Sequence, residues 1–159
     1  MSGSAARRST LVLLGLGLWL AAAAAGAQGL TEDVQLDFAT LVAPGSGSVS
    51  LTVGVSDDAS GTAEIVAGTP LTGVYTIVKG PGPNRTLAID INPGSVPAGI
   101  TLGSFTATYD GFSITLPASG LAAPGAQGKV LRAGATLTVD STVAPGSHTP
   151  GLVISVVKE

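Results

Sequence analysis

Cysteine is absent from this 159-residue sequence, and histidine occurs once, as His148. Without cysteine there is no disulfide framework, no thiolate metal site, no thiol nucleophile and no lipid carried on an N-terminal cysteine. A single histidine leaves little material for a zinc site or a catalytic triad, and no Gly-x-Ser-x-Gly motif accompanies it. We therefore expect no catalytic residue, no metal ligand and no cofactor, and we predict that the protein is not an enzyme.

Charged side chains are also few, at 11% of the sequence. Residues 28–159 hold ten acidic and five basic side chains, and five minus ten gives a formal charge of −5. The basic side chains are scattered along the chain: Lys79, Arg85, Lys129, Arg132 and Lys158. A protein without a basic patch has no surface suited to phosphates, so we expect no nucleic acid partner.

The first 27 residues have the pattern of a secretory signal peptide. Arg7 and Arg8 are followed by an apolar run over 11–20 and by small residues that end at Ala27. This pattern predicts cleavage before Gln28, which leaves residues 28–159 as a single domain. A retained membrane anchor is the competing interpretation, but the uncharged run over 11–27 is short and its second half is mostly alanine and glycine. We expect an exported protein in the periplasm, at the cell surface or outside the cell, with no membrane insertion after cleavage.

Short segments that alternate apolar and polar residues fill the domain, and no helical periodicity interrupts them. Turn residues separate the segments at the spacing typical of an antiparallel sandwich or barrel. The pattern predicts an all-β fold, an antiparallel sandwich of about eight to nine strands. The predicted segments are 34–38, 48–55, 64–66, 73–78, 86–91, 104–109, 112–116, 129–139 and 151–157.

The last quarter of the chain carries the clearest strand signals. Ala135, Leu137 and Val139 alternate with polar residues, which indicates a strand with one buried face. The segment 151–157 is apolar at nearly every position, which favours a strand that is covered on both sides or lies at the centre of a sandwich. Earlier in the chain, Asp110-Gly111 between two apolar segments predicts a tight β-hairpin, because both central residues of a type I′ turn need positive φ.

Three short motifs have a functional and an ordinary interpretation. The loop Asp57-Asp58-Ala59-Ser60-Gly61 bunches oxygen ligands as calcium requires, but acidic turn residues commonly cap a hairpin, and calcium binding at Asp57 and Asp58 stays open. Asn84-Arg85-Thr86 is a formal glycosylation sequon that we interpret as structural. Gly80-Pro81-Gly82-Pro83 does not suit phosphate, because its prolines lack N–H groups and no helix follows.

The order of these segments resembles an uncharacterised family of bacterial exported proteins that look like relatives of fimbrial subunits and spore coat protein U type domains. The resemblance rests on Leu36-Asp37-Phe38, on 73–82, on Thr115-Leu116-Pro117-Ala118, on 134–139 and on the turn at Pro145-Gly146 that leads into 151–156. It implies an immunoglobulin-like or pilin-like sandwich with a structural or adhesive role. Fimbrial subunits commonly have a penultimate aromatic residue, whereas Lys158 stands in that place here.

The resemblance also raises the question of strand exchange. Fimbrial subunits carry an N-terminal extension that completes a neighbour's sheet, and partners of this protein would then be itself or other surface proteins through β-strand addition. After the predicted cleavage, only the six residues 28–33 precede Val34, and Leu30 is their single large apolar side chain. Either the segment 34–38 is itself donated, or the domain is self-complete.

These observations leave three hypotheses about function. We favour an exported, non-catalytic structural or adhesive surface protein, such as a fimbria-like or matrix component. A carbohydrate- or surface-ligand-binding module is the alternative. Aromatic side chains, which normally carry such binding, are only 4% of the sequence and argue against it, whereas Tyr75 and Tyr109 lying side by side and exposed would favour it. A secreted hydrolase would require ionisable groups that meet in a cleft.

Overall fold

The computed structural model describes residues 10–12 and 28–159, and this part of the chain contains strands and no helix. The predicted all-β, antiparallel fold is confirmed. Residues 28–159 form twelve strands rather than the predicted eight to nine. With the short strand β1, which precedes them, the strands are β1 Thr10–Val12, β2 Gly29–Val34, β3 Thr40–Val42, β4 Ser48–Val53, β5 Ala59–Gly61, β6 Ile65–Ala67, β7 Gly73–Val78, β8 Leu87–Pro93, β9 Ile100–Tyr109, β10 Phe112–Ile114, β11 Ala118–Leu121, β12 Lys129–Asp140 and β13 Leu152–Lys158.

Strand β12 is the centre of the largest sheet. One side of β12 pairs along its length with β9, while the other side pairs first with β7 and then with β4. The sheet continues from β9 to β10, from β4 to β5 and from β7 to β2. The predicted alternation is confirmed, since Ala135, Leu137 and Val139 are buried and Thr136 faces the other way to contact Thr52, Oγ1 to Oγ1 at 2.8 Å.

The change of partner along β12 takes place at Gly134. A Cβ built on Gly134 would lie 2.3 Å from the carbonyl oxygen of Val53, so only glycine lets the two backbones approach this closely. The pairing of β12 with β9 also shifts its register between Gly134 and Thr136. The extra residue of this β-bulge lies on β9, where Ser104 and Phe105 stand opposite Ala135 of β12, and a bulge bends the strand that carries it.

A second sheet holds β8 between β11 and β13, which we call the terminal sheet. Its buried side chains, among them Leu87, Ile89 and Leu152, join those of β12 and its neighbours in one apolar cluster. These two antiparallel sheets share one core, as in a β-sandwich. A small third sheet pairs β3 with β1 and with β6. The core is aliphatic except for Phe38, Tyr75 and Tyr109.

The strands that the sequence did not predict are short or lie at sheet edges. They are β2, β3, β5 and β11. The prediction of a strand over 34–38 is wrong, because residues 35–38 do not pair as a strand. Leu36 and Phe38 are buried as expected, but Val34 ends β2 at 38% exposure and only a single bridge, from Asp37 to Leu71, pairs the rest.

The predicted hairpin at Asp110-Gly111 is confirmed. It joins β9 to β10 with Tyr109 opposite Phe112, and Asp110 and Gly111 have φ of 54° and 83°. The φ values are positive at both central positions, as a type I′ turn requires.

The predicted signal peptide over 1–27 lies outside the described residues except for β1, which pairs with β3 in antiparallel register, Leu11 opposite Leu41. Cleavage before Gln28 therefore stays a prediction. In the part of the chain that the structure describes, no helix has the length and apolarity needed to cross a membrane.

Candidate functional site at the edge of the last strand

The single histidine lies apart from any cluster of acids. His148 is exposed in the loop before β13, and its ring Nε2 donates to the carbonyl oxygen of Ala144 at 2.7 Å. Within residues 28–159, no three histidine or carboxylate side chains come together in a way that could hold a metal ion. The arrangement around His148 is a local turn contact.

The loop considered for calcium is tied to the rest of the fold through Asp57. The Asp57 Oδ1 accepts a hydrogen bond from the N–H of Thr72 at 3.2 Å, and its Oδ2 forms an ion pair with Arg132 at 2.8 Å. These two partners hold the pKa of Asp57 below its ordinary value, with the Thr72 hydrogen bond as the largest cause. The Asp57 carboxylate thus links its loop to Thr72 and to Arg132 on β12. Ala59–Gly61, at the end of the same loop, forms β5 against β4.

The two tyrosines flank the same residue, since Tyr75 and Tyr109 lie on either side of Leu131 on neighbouring strands. Both are buried, at 1% and 3% exposure, and the Tyr109 hydroxyl donates to the carbonyl of Ala122 at 2.9 Å. Burial raises the pKa of both phenols, that of Tyr109 to about 12. The aromatic platform that a carbohydrate-binding module would require is therefore not built from these residues.

The feature that the sequence did not reveal is the outer edge of β13. This strand was predicted to be covered on both sides or to lie at the centre of a sandwich, and that prediction is wrong. Among residues 28–159 it pairs only with β8, so its other edge has no partner strand, and Ser155 and Val157 on the face turned away from the core are exposed. The apolar run 151–157 does not distinguish a central strand from an edge strand, because valine occurs on both faces of β13.

The backbone of β13 presents four residues outward. Glu159 N–H donates to the carbonyl of Thr86 at 2.9 Å, so the odd-numbered residues of the strand point their N–H and C=O groups toward β8. Alternate residues of an antiparallel strand point to opposite sides. Leu152, Ile154, Val156 and Lys158 therefore present their backbone donors and acceptors to the free side.

The side chains leave this edge unprotected. Natural edge strands are commonly guarded by lysine, proline or a bulge. The residues of β13 include no proline, and its register with β8 is regular over all seven positions. Its one charged residue, Lys158, directs its Nζ to the carbonyl oxygen of Pro81 at 2.6 Å, so the charge is bound to a loop of its own chain.

Other edges in the described part of the chain are shorter, charged or irregular. Strand β10 has three residues, and β11 has four with a register shift. Strand β2 carries Glu32 and Asp33 on its edge. The first half of β9 is interrupted by the bulge near Gly103 and by Ser104 with φ of 48°. Strand β13 is therefore the longest regular edge without a barrier.

The fold is an antiparallel β-sandwich in which the apolar strand β13 pairs on one side only within residues 28–159. The chain belongs to the family described as Domain of unknown function (DUF4402), whose model matches residues 29–157. No curated protein and no solved structure matches it. The matching family model is not that of fimbrial subunits or of spore coat protein U type domains.

Proposed function

We propose that this protein is an exported, non-catalytic structural or adhesive component of a surface, fimbria-like or extracellular-matrix assembly. The observation that carries the proposal is the free edge of β13, seven residues long, with four residues whose backbone groups point outward and one charge that is bound elsewhere. Such an edge is a template for adding a further strand by main-chain hydrogen bonds. A sandwich that retains this template is suited to assembly with other β-rich chains.

The use of polar groups in the fold supports the same proposal. The two ion pairs in the described residues, Asp57 with Arg132 and Lys129 with Asp110, each join neighbouring strands or loops. Within residues 28–159, Thr72 is the only polar side chain with no exposed surface, and it is hydrogen-bonded to the Asp57 loop. These polar groups serve to stabilise the sandwich. The unpaired edge of β13 has no such role in the stability of the fold.

Export and surface location are part of this proposal, and they rest on the signal-peptide pattern over 1–27 and on the resemblance to exported sandwich proteins. The fimbria-like role rests on that resemblance together with the edge of β13. No observed site favours the ligand-binding alternative, because Tyr75 and Tyr109 are both in the core.

The proposal is tested by fractionating cells that produce the protein and following it with an antibody raised against the purified chain. We expect the protein in the envelope or extracellular fraction, in particles larger than a monomer, and on the surface of intact cells by immunogold labelling. A strictly monomeric protein at high concentration that is absent from envelope and surface material would overturn the proposal.

A further inference from the structure

Two copies of β13 placed antiparallel, edge to edge, would match each other at nearly every position. Its sequence is Leu152-Val153-Ile154-Ser155-Val156-Val157-Lys158. If a second strand of the same sequence runs antiparallel to it with Ser155 at the centre, Ile154 lies opposite Val156 and Val153 lies opposite Val157. All seven positions are then paired. The five positions 153–157 carry an apolar residue or serine on both chains, and the two end positions join Leu152 to the aliphatic stem of Lys158.

We propose that β13 pairs with β13 of a second copy of this chain, antiparallel, about a two-fold axis at Ser155. The pairing joins the two terminal sheets into one continuous six-stranded sheet. This inference rests on the proposed assembly function and names the partner and the register of that assembly. A two-fold interface of this kind uses the same patch on both subunits.

The backbone supports this register. The outward-pointing residues are the even-numbered ones, and a two-fold axis at Ser155 places each even-numbered residue opposite another: Leu152 opposite Lys158 and Ile154 opposite Val156. A slip by one residue would set outward groups against inward ones and would turn every side chain to the wrong face. A slip by two residues keeps the parity but shortens the paired segment at its ends.

The side chains support the same register. Leu152 and Ile154 face the core, at 2% and 6% exposure, and the two-fold axis keeps them on the core side of the joined sheet. On the outer face, Val157, which is 51% exposed, is covered by Val153 of the second copy. Cross-strand pairs of this kind are the units that stabilise antiparallel sheets.

Charge does not oppose the pairing. The two copies of Lys158 stand at opposite ends of the paired strands, six residues or roughly 20 Å apart along the strand, and each is bound to its own loop at Pro81. Residues 151–157 carry no charge, so no like charges face each other across the interface. Because β13 is apolar and pairs well with its own sequence, the partner that best fits this edge is a second copy of the chain.

The decisive test is a single cysteine at the axis, which is possible because the chain has none of its own. In the proposed pairing Ser155 faces Ser155 of the second copy in a non-hydrogen-bonded pair, with Cα atoms about 4.5 Å apart, which is within the range that a disulfide spans. We expect the full chain with Ser155→Cys, purified as the producing cells deliver it, to form a covalent dimer under mild oxidation. Ser113→Cys, on the exposed edge strand β10, is the matched control and should stay monomeric.

The register is tested by pairs of variants. Val153→Cys and Val157→Cys should cross-link to each other when mixed, while each alone gives little dimer. Ser155→Lys and Ser155→Glu should each lower the dimer fraction in sedimentation at least tenfold, because residue 155 meets itself at the axis, and mixing the two variants should restore dimers. Since Ser155 is exposed, these substitutions leave the core intact.

The outcomes separate this inference from the proposed function. Surface assemblies in which Ser155→Cys does not cross-link overturn the β13 pairing and leave the proposed function standing. Cross-linking of Ser155→Cys to a different protein overturns the choice of a second copy. A monomeric protein that is also absent from the cell surface overturns both.

Discussion

The hydroxyl of Thr72 accepts a hydrogen bond from the N–H of Asp57 at 3.0 Å and donates one to the carbonyl of Gly54. Thr72 has no exposed surface. Its own N–H donates a hydrogen bond to the Asp57 carboxylate. One buried side chain therefore satisfies the backbone of a loop that lies fifteen residues earlier in the chain. The loop is held where Asp57 can reach Arg132 on β12.

We predict that Thr72→Val destabilises the protein by about 1–3 kcal/mol, because it keeps the shape of the side chain but leaves two backbone groups without partners. Thr72→Ser keeps the hydroxyl and should cost clearly less. Urea unfolding of the two variants and the wild-type chain provides the measurement. Equal stability of Thr72→Val and wild type would show that water or a loop movement replaces both hydrogen bonds.

Acid should weaken the fold through Asp57 and Asp140, whose pKa values are lowered by hydrogen bonds from Thr72 and Thr142. A carboxyl whose folded-state pKa lies below its unfolded value binds fewer protons when folded, so its contribution is present above the ordinary value of 3.8 and is lost as pH falls through the lower folded value. We predict that the urea midpoint changes little between about pH 7 and 5 and then falls toward about pH 3.

The variant Asp57→Asn should reduce that acid dependence. Asparagine tolerates the positive φ of 61° at this position and still accepts from Thr72, but it cannot titrate or pair with Arg132. Asp58→Asn is the control, because its carboxylate forms no ion pair within residues 28–159. An acid dependence that is the same for Asp57→Asn and wild type would contradict the assignment.

The strands that could be predicted from the sequence are those whose own residues alternate over five or more positions. Strands β7 and β12 are of this kind, since each buries every second side chain. Strands β5 and β11 could not be predicted, because three or four residues define no period and their pairing depends on a neighbour that is remote in sequence. Ala59–Gly61 has the composition of a turn, yet it pairs with β4, with Gly61 opposite Leu51.

The candidate site could not be predicted for a related reason. Whether β13 is central or at an edge depends on where the other strands lie, and its apolar outer residues Val153 and Val157 hide the difference. The link from Asp57 to Arg132 spans 75 residues and leaves no local pattern. The hairpin at Asp110-Gly111 was predictable because its cause, positive φ at two adjacent residues, is local.

The two tyrosines provide a spectroscopic measure of the core, because they are the only tyrosines in the chain. Burial, with a smaller contribution from Asp110, raises the pKa of Tyr109 to about 12, and burial raises that of Tyr75 further. We predict that absorbance at tyrosinate wavelengths stays low in the folded protein up to about pH 11, whereas the urea-unfolded chain titrates near 10. A phenol with a raised folded pKa stabilises the fold below the unfolded value and loses that contribution as pH rises, so tyrosinate should appear together with alkaline unfolding.

Early ionisation of one tyrosine in a protein that keeps its folded circular dichroism would contradict this prediction, and substitution identifies which residue is responsible. Tyr109→Phe removes the hydrogen bond to Ala122 and leaves the ring in place. The remaining titration then belongs to Tyr75, which should be the later of the two.

Glycine at position 134 is required by the approach of another backbone. Gly134→Ala would bring its Cβ to 2.3 Å from the Val53 carbonyl, at the point where β12 changes partner from β7 to β4. We predict a loss of about 1–3 kcal/mol in the free energy of unfolding, as is typical of overpacking. Gly103→Ala, on the neighbouring strand β9, meets no atom within 4 Å and should leave stability within about 0.5 kcal/mol of wild type. If both substitutions were equally harmless in urea unfolding, the backbone around Gly134 would have to relax at no cost. The close approach of β12 to Val53 would then not require glycine at position 134.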